Sequence, residues 1–180
     1  MSDRTGYSSL RLRAATYDDR RLLFDWRNDP VVRQASFTTA PVAWEDHVKW
    51  FDRMMTGEDV RQYILVDASC MPLGQIRIRI CDGNPSAAEI GYSVDAAVRG
   101  HGYGRALLEL IIPQVLRDLP QVRMLIGRVK KDNLASASAF AAAGYEPGYE
   151  FGNEPGHEPR SGEDSLIYRY YLTDKPGKTL

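Results

Sequence analysis

Arg99, Gly100, His101, Gly102, Tyr103 and Gly104 form the segment whose residue types and spacing best suit chemistry. It lies between a strand-like stretch at 87–94 and a helix-like run at 103–112. At such a junction glycines let backbone N–H groups crowd around an anion, and a helix start adds the positive end of its dipole. A dinucleotide fingerprint needs Gly-x-Gly-x-x-Gly with a suitably placed acidic residue, and a P-loop needs Gly-Lys followed by Ser or Thr. Here the glycines alternate and Arg105 follows them, so neither motif applies. From the residues alone the segment is either a phosphate cradle or a tight turn.

The strand before it alternates, placing Glu89, Gly91 and Ser93 on one face and Ile90, Tyr92 and Val94 on the other. Glu89 there is a candidate proton acceptor, or a polar edge residue held in an ion pair. Asn133 precedes a short helix, where a side-chain oxygen can cap the first turn or orient a ligand. In the N-terminal half, Trp26, Arg27, Asn28, Arg33 and His47 lie among Trp44, Trp50 and Phe51. That set can combine ring stacking with attraction for phosphate, and a nucleoside diphosphate gains more from arginine than a hydrophobic amine does. The same aromatics also suit packing of helices on a sheet.

The elements that must position these groups follow from periodicity. Leu10, Leu12 and Ala14 alternate with arginines as a short strand, and Thr16 with Asp19 resembles a capping box for a helix bearing Leu22, Leu23 and Trp26. Asp29-Pro30 marks a break. A second amphipathic helix is predicted at 44–55 with Gly57 as its stop, then strands at 62–66, 73–81 and 87–94. The helix after the glycine segment is expected to kink or end at Pro113. A strand at 122–129, a helix at 134–143 capped by Gly144, and strands at 145–151 and 165–172 complete the order. The segment 152–164 reads as a surface loop and the residues after Thr173 as a frayed tail.

The 180 residues are 43% hydrophobic, enough for one substantial core, and no linker divides them. We expect a single domain over 1–174 and a tail at 175–180. A net charge of −1 gives no global attraction to nucleic acid or an anionic membrane. No apolar run reaches transmembrane length and no signal-like start is seen, which points to the cytoplasm. Cys70, Cys81 and three scattered histidines supply no metal pattern. The mixed order of elements is a poor match to regular βαβ repetition and suits a sheet with helices on both faces.

With these motifs in place, the chain resembles the GNAT superfamily of N-acetyltransferases. Arg99, Gly102 and Gly104 match its acyl-coenzyme A motif, and the segment 88–94, Asn133-Leu134-Ala135-Ser136 and Gly144-Tyr145 fall in the expected order. The resemblance covers nearly the whole chain. It implies an α/β (mixed α+β) fold, with a central, mostly antiparallel sheet of six or seven strands flanked by about four helices. It also implies acetyl-coenzyme A as cosubstrate, its pyrophosphate held by Arg99, Gly100, His101, Gly102, Tyr103 and Gly104. The backbone of Ser93, Val94 and Asp95 would align the pantetheine arm, with Asn133 and Ser136 nearby. The acceptor would be a small-molecule primary amine that attacks the thioester once deprotonated, and Glu89 matches an acidic position used for that step. Many relatives carry a tyrosine seven residues after the asparagine to protonate the leaving thiolate; this chain has Phe140 there. Tyr145, Tyr92, Ser138 or a water is then the candidate acid.

The stretch Trp26-Arg27-Asn28-Asp29-Pro30-Val31-Val32-Arg33 with Ser36-Phe37 and His47-Val48-Lys49-Trp50-Phe51 resembles a narrower group, the N-acetyltransferases of nucleotide-linked aminosugars of the pseudaminic acid pathway type. Ribosomal-protein N-terminal acetyltransferases share related Trp-x-Asn-Asp features. The expected acceptor is a nucleotide-linked 4-amino-deoxysugar, with Trp26, Arg27, Asn28, Arg33 and His47 binding it and His47 also a candidate proton relay. The alternatives are a protein N-terminal acetyltransferase and a non-catalytic acyl-coenzyme A sensor. An exposed late strand would be available to pair subunits as a homodimer.

Overall fold

The alternation of apolar and polar residues along the central strands decides the architecture. The computed structural model describes residues 9–148 and 165–172. Within them β1 (Arg11–Ala14), β2 (Val60–Val66), β3 (Pro72–Cys81), β4 (Asn84–Val94), β5 (Met124–Lys130), β6 (Glu146–Gly148) and β7 (Ser165–Tyr171) form one sheet in the order β1-β2-β3-β4-β5-β7-β6. Only β4 and β5 pair parallel among the described strands; the connection between them is α4 (Tyr103–Asp118). The other helices are α1 (Arg20–Asn28), α2 (Pro30–Ala35), α3 (Trp44–Thr56) and α5 (Leu134–Ala142). The sheet thus has the expected mixed α/β form with seven strands.

Because side chains alternate, each strand contributes to two different cores. Tyr63, Leu65, Ile76, Ile78, Ala88, Ile90, Leu125 and Val129 face a core completed by Leu107, Leu108 and Ile111 of α4 and Phe140 of α5. Fully burying each such aliphatic side chain contributes about 1.5–3 kcal/mol. On the opposite face Ile64 and Val66 pack with Leu23 and Trp26 of α1 and Phe51 and Met54 of α3. The helices therefore cover that second face at the β1–β2 end, while further along it β3 and β4 present Gln75, Arg77, Arg79, Glu89 and Ser93, matched by register.

One local expectation is corrected, and one helix is added to the expected order. Helix α4 does not end at Pro113 but continues to Asp118. Proline removes one backbone donor, a cost of about 3 kcal/mol or more in a helix interior. The continuation is held by Val115, which is fully buried, by Leu119, and by a 2.7 Å hydrogen bond from the Tyr63 hydroxyl to Asp118. The break at Asp29-Pro30 is followed by another helix, α2: Asp29 accepts from the Val32 N–H at 3.0 Å, and proline suits the first turn. Among the described residues no helix is long and apolar enough to cross a membrane. The segment 152–164 and the tail beyond Thr173 lie outside the described residues.

Phe140 anchors α5 by lying over Gly127 of β5 and stacking on Tyr168 at 5.3 Å between centroids. A methyl group at position 127 would come within 2.2 Å of the ring. Gly127→Ala is therefore expected to lower stability by about 1–3 kcal/mol, the usual cost of overpacking. Urea unfolding checks this, and adding Phe140→Leu should recover part of the loss.

Candidate active site

The site is set by where β4 and β5 stop pairing. Their parallel register runs from Ala87–Met124 to Ile90–Gly127 and goes no further, although β4 continues to Val94 and β5 to Lys130. On its other edge β4 stays paired with β3 through Val94. Buried backbone groups that leave a ladder need another partner. Gly91 to Val94 therefore line a parting of the sheet that opens toward the segment 95–104.

That segment is shaped by its own bonds. Asp95 donates its N–H to Leu73 O at 2.9 Å and its carboxylate caps a single 3-10 turn, Ala96–Val98, by accepting from Ala97 N–H at 2.8 Å. Gly100 and Gly102 have φ of 82° and 81°, a region that side-chain-bearing residues rarely enter, and Gly102 directly precedes α4. Gly104 is needed for a different reason. A Cβ there would lie 3.2 Å from the Tyr92 ring and 3.4 Å from its hydroxyl. Gly104 thus lets α4 pack closely on Tyr92, while the first turn, with its unpaired N–H groups and dipole, begins directly after Gly102.

Arg99 turns away from simple solvent exposure: Nη2 is 2.6 Å from Asp29 Oδ1 and Nε donates to Val94 O at 3.3 Å. The carboxylate of Asp29 is held below its usual range despite partial burial, by the Val32 N–H and by Arg99. Trp26 donates its indole N–H to Asp95 at 2.6 Å. His101 Nδ1 lies 3.1 Å from Val98 O, and its ring stacks on Tyr103. At the start of α5, Asn133 caps the helix by accepting from Ser136 N–H, and Ser136 Oγ is 3.0 Å from the Tyr92 hydroxyl. Burial raises the Tyr92 phenol above its ordinary value, so it is protonated at neutral pH.

The remaining sequence candidates are dispersed. Glu89 lies in the paired part of β4, its carboxylate 2.8 Å from Arg79 and 3.7 Å from Arg128. Tyr145 is buried in the core, donating its hydroxyl to Leu108 O at 3.2 Å, and burial pushes that phenol far up. Its proton is committed within the fold. His47 is buried among Phe24, Trp44, Trp50 and Phe51, with Nε2 2.9 Å from Arg20 O. Asn28 ties its amide to Val42 in both directions, at 2.8 and 3.0 Å, and Arg27 donates to Thr38 O at 2.9 Å. Trp26, Asn28, Tyr145 and His47 are thus engaged in holding the structure together. Ser93 is buried and receives a hydrogen bond from Gln75, which in turn accepts from Gln62 at 2.6 Å. This amide chain and Arg77 beside it were missed from the sequence. The alternation Gln75-x-Arg77-x-Arg79 along a strand is the signal that carries them.

A family model described as an acetyltransferase (GNAT) domain matches residues 9–146. No curated protein sequence matches. Among solved structures, spermidine N-acetyltransferase from Vibrio cholerae, in complex with coenzyme A and spermine, is similar at 16% identity and a TM-score of 0.76, over 92% of this chain and 96% of that one. The aminoglycoside acetyltransferase AAC(6')-Ib with coenzyme A and kanamycin is similar at 19% identity and 0.70, covering 88% and 94%. A domain from Methanocaldococcus jannaschii is similar at 19% and 0.72, covering 90% and 97%. The chain belongs to the GNAT acetyltransferase family.

His47 yields a pH test. Burial, the largest influence, lowers its pKa below the ordinary 6.5. Below that value the unfolded chain binds a proton that the folded chain refuses, so His47 makes stability fall as the pH is lowered. Denaturant unfolding should show wild type losing stability from about pH 7 to about pH 5 more steeply than His47→Gln, whose amide can still donate to Arg20 O.

Proposed function

We propose that this GNAT acetyltransferase, whose cosubstrate is acetyl-coenzyme A, transfers acetyl to the primary amine of a small acceptor, a nucleotide-linked 4-amino-deoxysugar, by direct attack. The observation that carries the transfer reading is the parting of β4 from β5 directly in front of the α4 N-terminus. The residues present fit the cosubstrate: positive φ at Gly100 and Gly102 turns the backbone into the α4 N-terminus, open space surrounds the Cα of Gly100, and the unpaired N–H groups there suit a pyrophosphate. Arg99 to Gly104 would hold that group, with Ser93 and Val94 along the pantetheine arm and Asn133 and Ser136 beside it. When bound, it supplies an acyl group activated as a thioester.

The chain's own groups then position and move protons. Glu89 is the carboxylate on the acceptor face, two residues from Gly91 on the same side of β4, and receives the amine's proton through water. The Tyr92 hydroxyl, backed by Ser136, protonates the leaving sulfur where Phe140 cannot. The aminosugar preference rests on the resemblance of the segment around Trp26 and Arg33 and on the cations of that face.

Thiol release from acetyl-coenzyme A, measured against nucleotide-linked 4-aminosugars and against basic peptides, tests the substrate. Turnover on the sugars is expected; saturable turnover on peptides alone would favour the protein N-terminal reading. Tyr92→Phe is expected to lower kcat by about 10²-fold or more while the KM for acetyl-coenzyme A stays nearly unchanged. Glu89→Gln should lower kcat. An unchanged rate in either variant removes that residue from its role.

A further inference from the structure

The acceptor face next to the parting carries more positive charge than its partners answer. Arg77 Nη2 lies 3.7 Å from where a Cβ of Gly91 would stand, so its guanidinium covers the first β4 residue beyond the last pair with β5. Trp50 covers it, with the guanidinium carbon 5.8 Å from the ring centre. Arg27 and Arg33 approach from α1 and α2. Arg27 Nη1 and Arg33 Nε are buried without a hydrogen-bond partner among the described residues. Burial is what chiefly lowers the pKa of Arg27 and Arg77; Arg33 adds to it at Arg27, and Arg79 and Arg27 add to it at Arg77 against the attraction of Glu89. Glu89, the carboxylate that acts on Arg77, is also shared by Arg79 and Arg128.

A buried donor left unpaired costs about 1–3 kcal/mol, more when charged, and converging like charges add to that. An arrangement of this kind is balanced by a ligand that brings acceptor oxygens and negative charge. Guanidinium forks match phosphate bidentately, and three of them offer more donors than the two oxygens of a carboxylate can accept. Resting on the acetyl-transfer reading, we infer that Arg27, Arg33 and Arg77 form a subsite for a phosphoryl group of the acceptor, beside the position its amine takes.

Two consequences follow from the charge. Polycationic amines are repelled from this face, so the acceptor class differs from polyamines and aminoglycosides. The same cations disfavour an ammonium over the neutral amine, the form that can attack. Binding strength that the amine forfeits by losing its charge is regained through the phosphoryl group.

The test separates the subsite from the reaction. Protein saturated with coenzyme A, which fills the pyrophosphate loop, is titrated calorimetrically with uridine diphosphate. One molecule is expected to bind per chain, and Arg33→Gln and Arg77→Gln should each weaken it at least tenfold while coenzyme A affinity stays as in wild type and thermal melting does not fall. No binding to the saturated protein, binding that both folded variants retain, or malonate binding as tightly as uridine diphosphate would overturn the proposal. In parallel, thiol release is compared for glucosamine 6-phosphate, glucosamine, spermidine and kanamycin. The phosphorylated amine is expected to lead in kcat/KM by at least about tenfold, the lower range of a charged hydrogen bond. Equal or better turnover of spermidine or kanamycin would overturn the subsite and leave acetyl transfer standing. Uridine diphosphate binding without acetylation of any amine would support the subsite and sink the transfer reading.

Discussion

Everything in the site depends on the loss of one ladder. Parallel pairing between β4 and β5 ends at Ile90, while β3 holds β4 straight through Val94 on its other edge. A strand supported on one side only keeps its geometry yet leaves peptide groups without a neighbour, which is what an extended ligand requires. The same event brings the end of β4, the glycine segment and the start of α4 into line, because the crossover must leave the sheet there.

The N-terminal helices are fastened to that region by a few polar contacts rather than by apolar packing alone. Trp26 reaches Asp95 and Asp29 reaches Arg99, so α1 and α2 are tied to both ends of the turn that leads into α4. Both pairs lie where partial burial strengthens a charge-assisted bond. The N-terminal helices and the turn into α4 are thereby parts of one frame, and Trp26, expected as a substrate contact, helps to hold it.

The two faces of the sheet have divided tasks. Under α4 and α5 the alternation is apolar without interruption, and Phe140 occupies the space over Gly127 that stabilises this layer. On the other face amides and guanidiniums along β3 and β4 lie between two apolar patches, one with Ile64 and Val66 and one with Ala87, Ile126 and Ile167. A single two-residue period thus writes a core on one side and a charged surface on the other.

Local chemistry was legible in the chain itself: the strands from their alternation, the helices from their caps, the glycine segment from residues that alone tolerate positive φ, and the family from the order of these motifs. Pro113 was misread because the buried Val115 and Leu119 outweigh one lost hydrogen bond, and α2 was not foreseen because Asp29 both breaks α1 and caps the next helix. Tyr145 and His47 look reactive in a sequence, since residue type carries no information on burial. Only the fold showed that one hydroxyl is held by Leu108 O and one imidazole by Arg20 O. The parting of β4 and β5, the Tyr92–Ser136 contact and the seat of Arg77 between Gly91 and Trp50 also belong to the tertiary structure. Each joins residues distant in the chain through strand register and helix docking, and no local pattern encodes those distances.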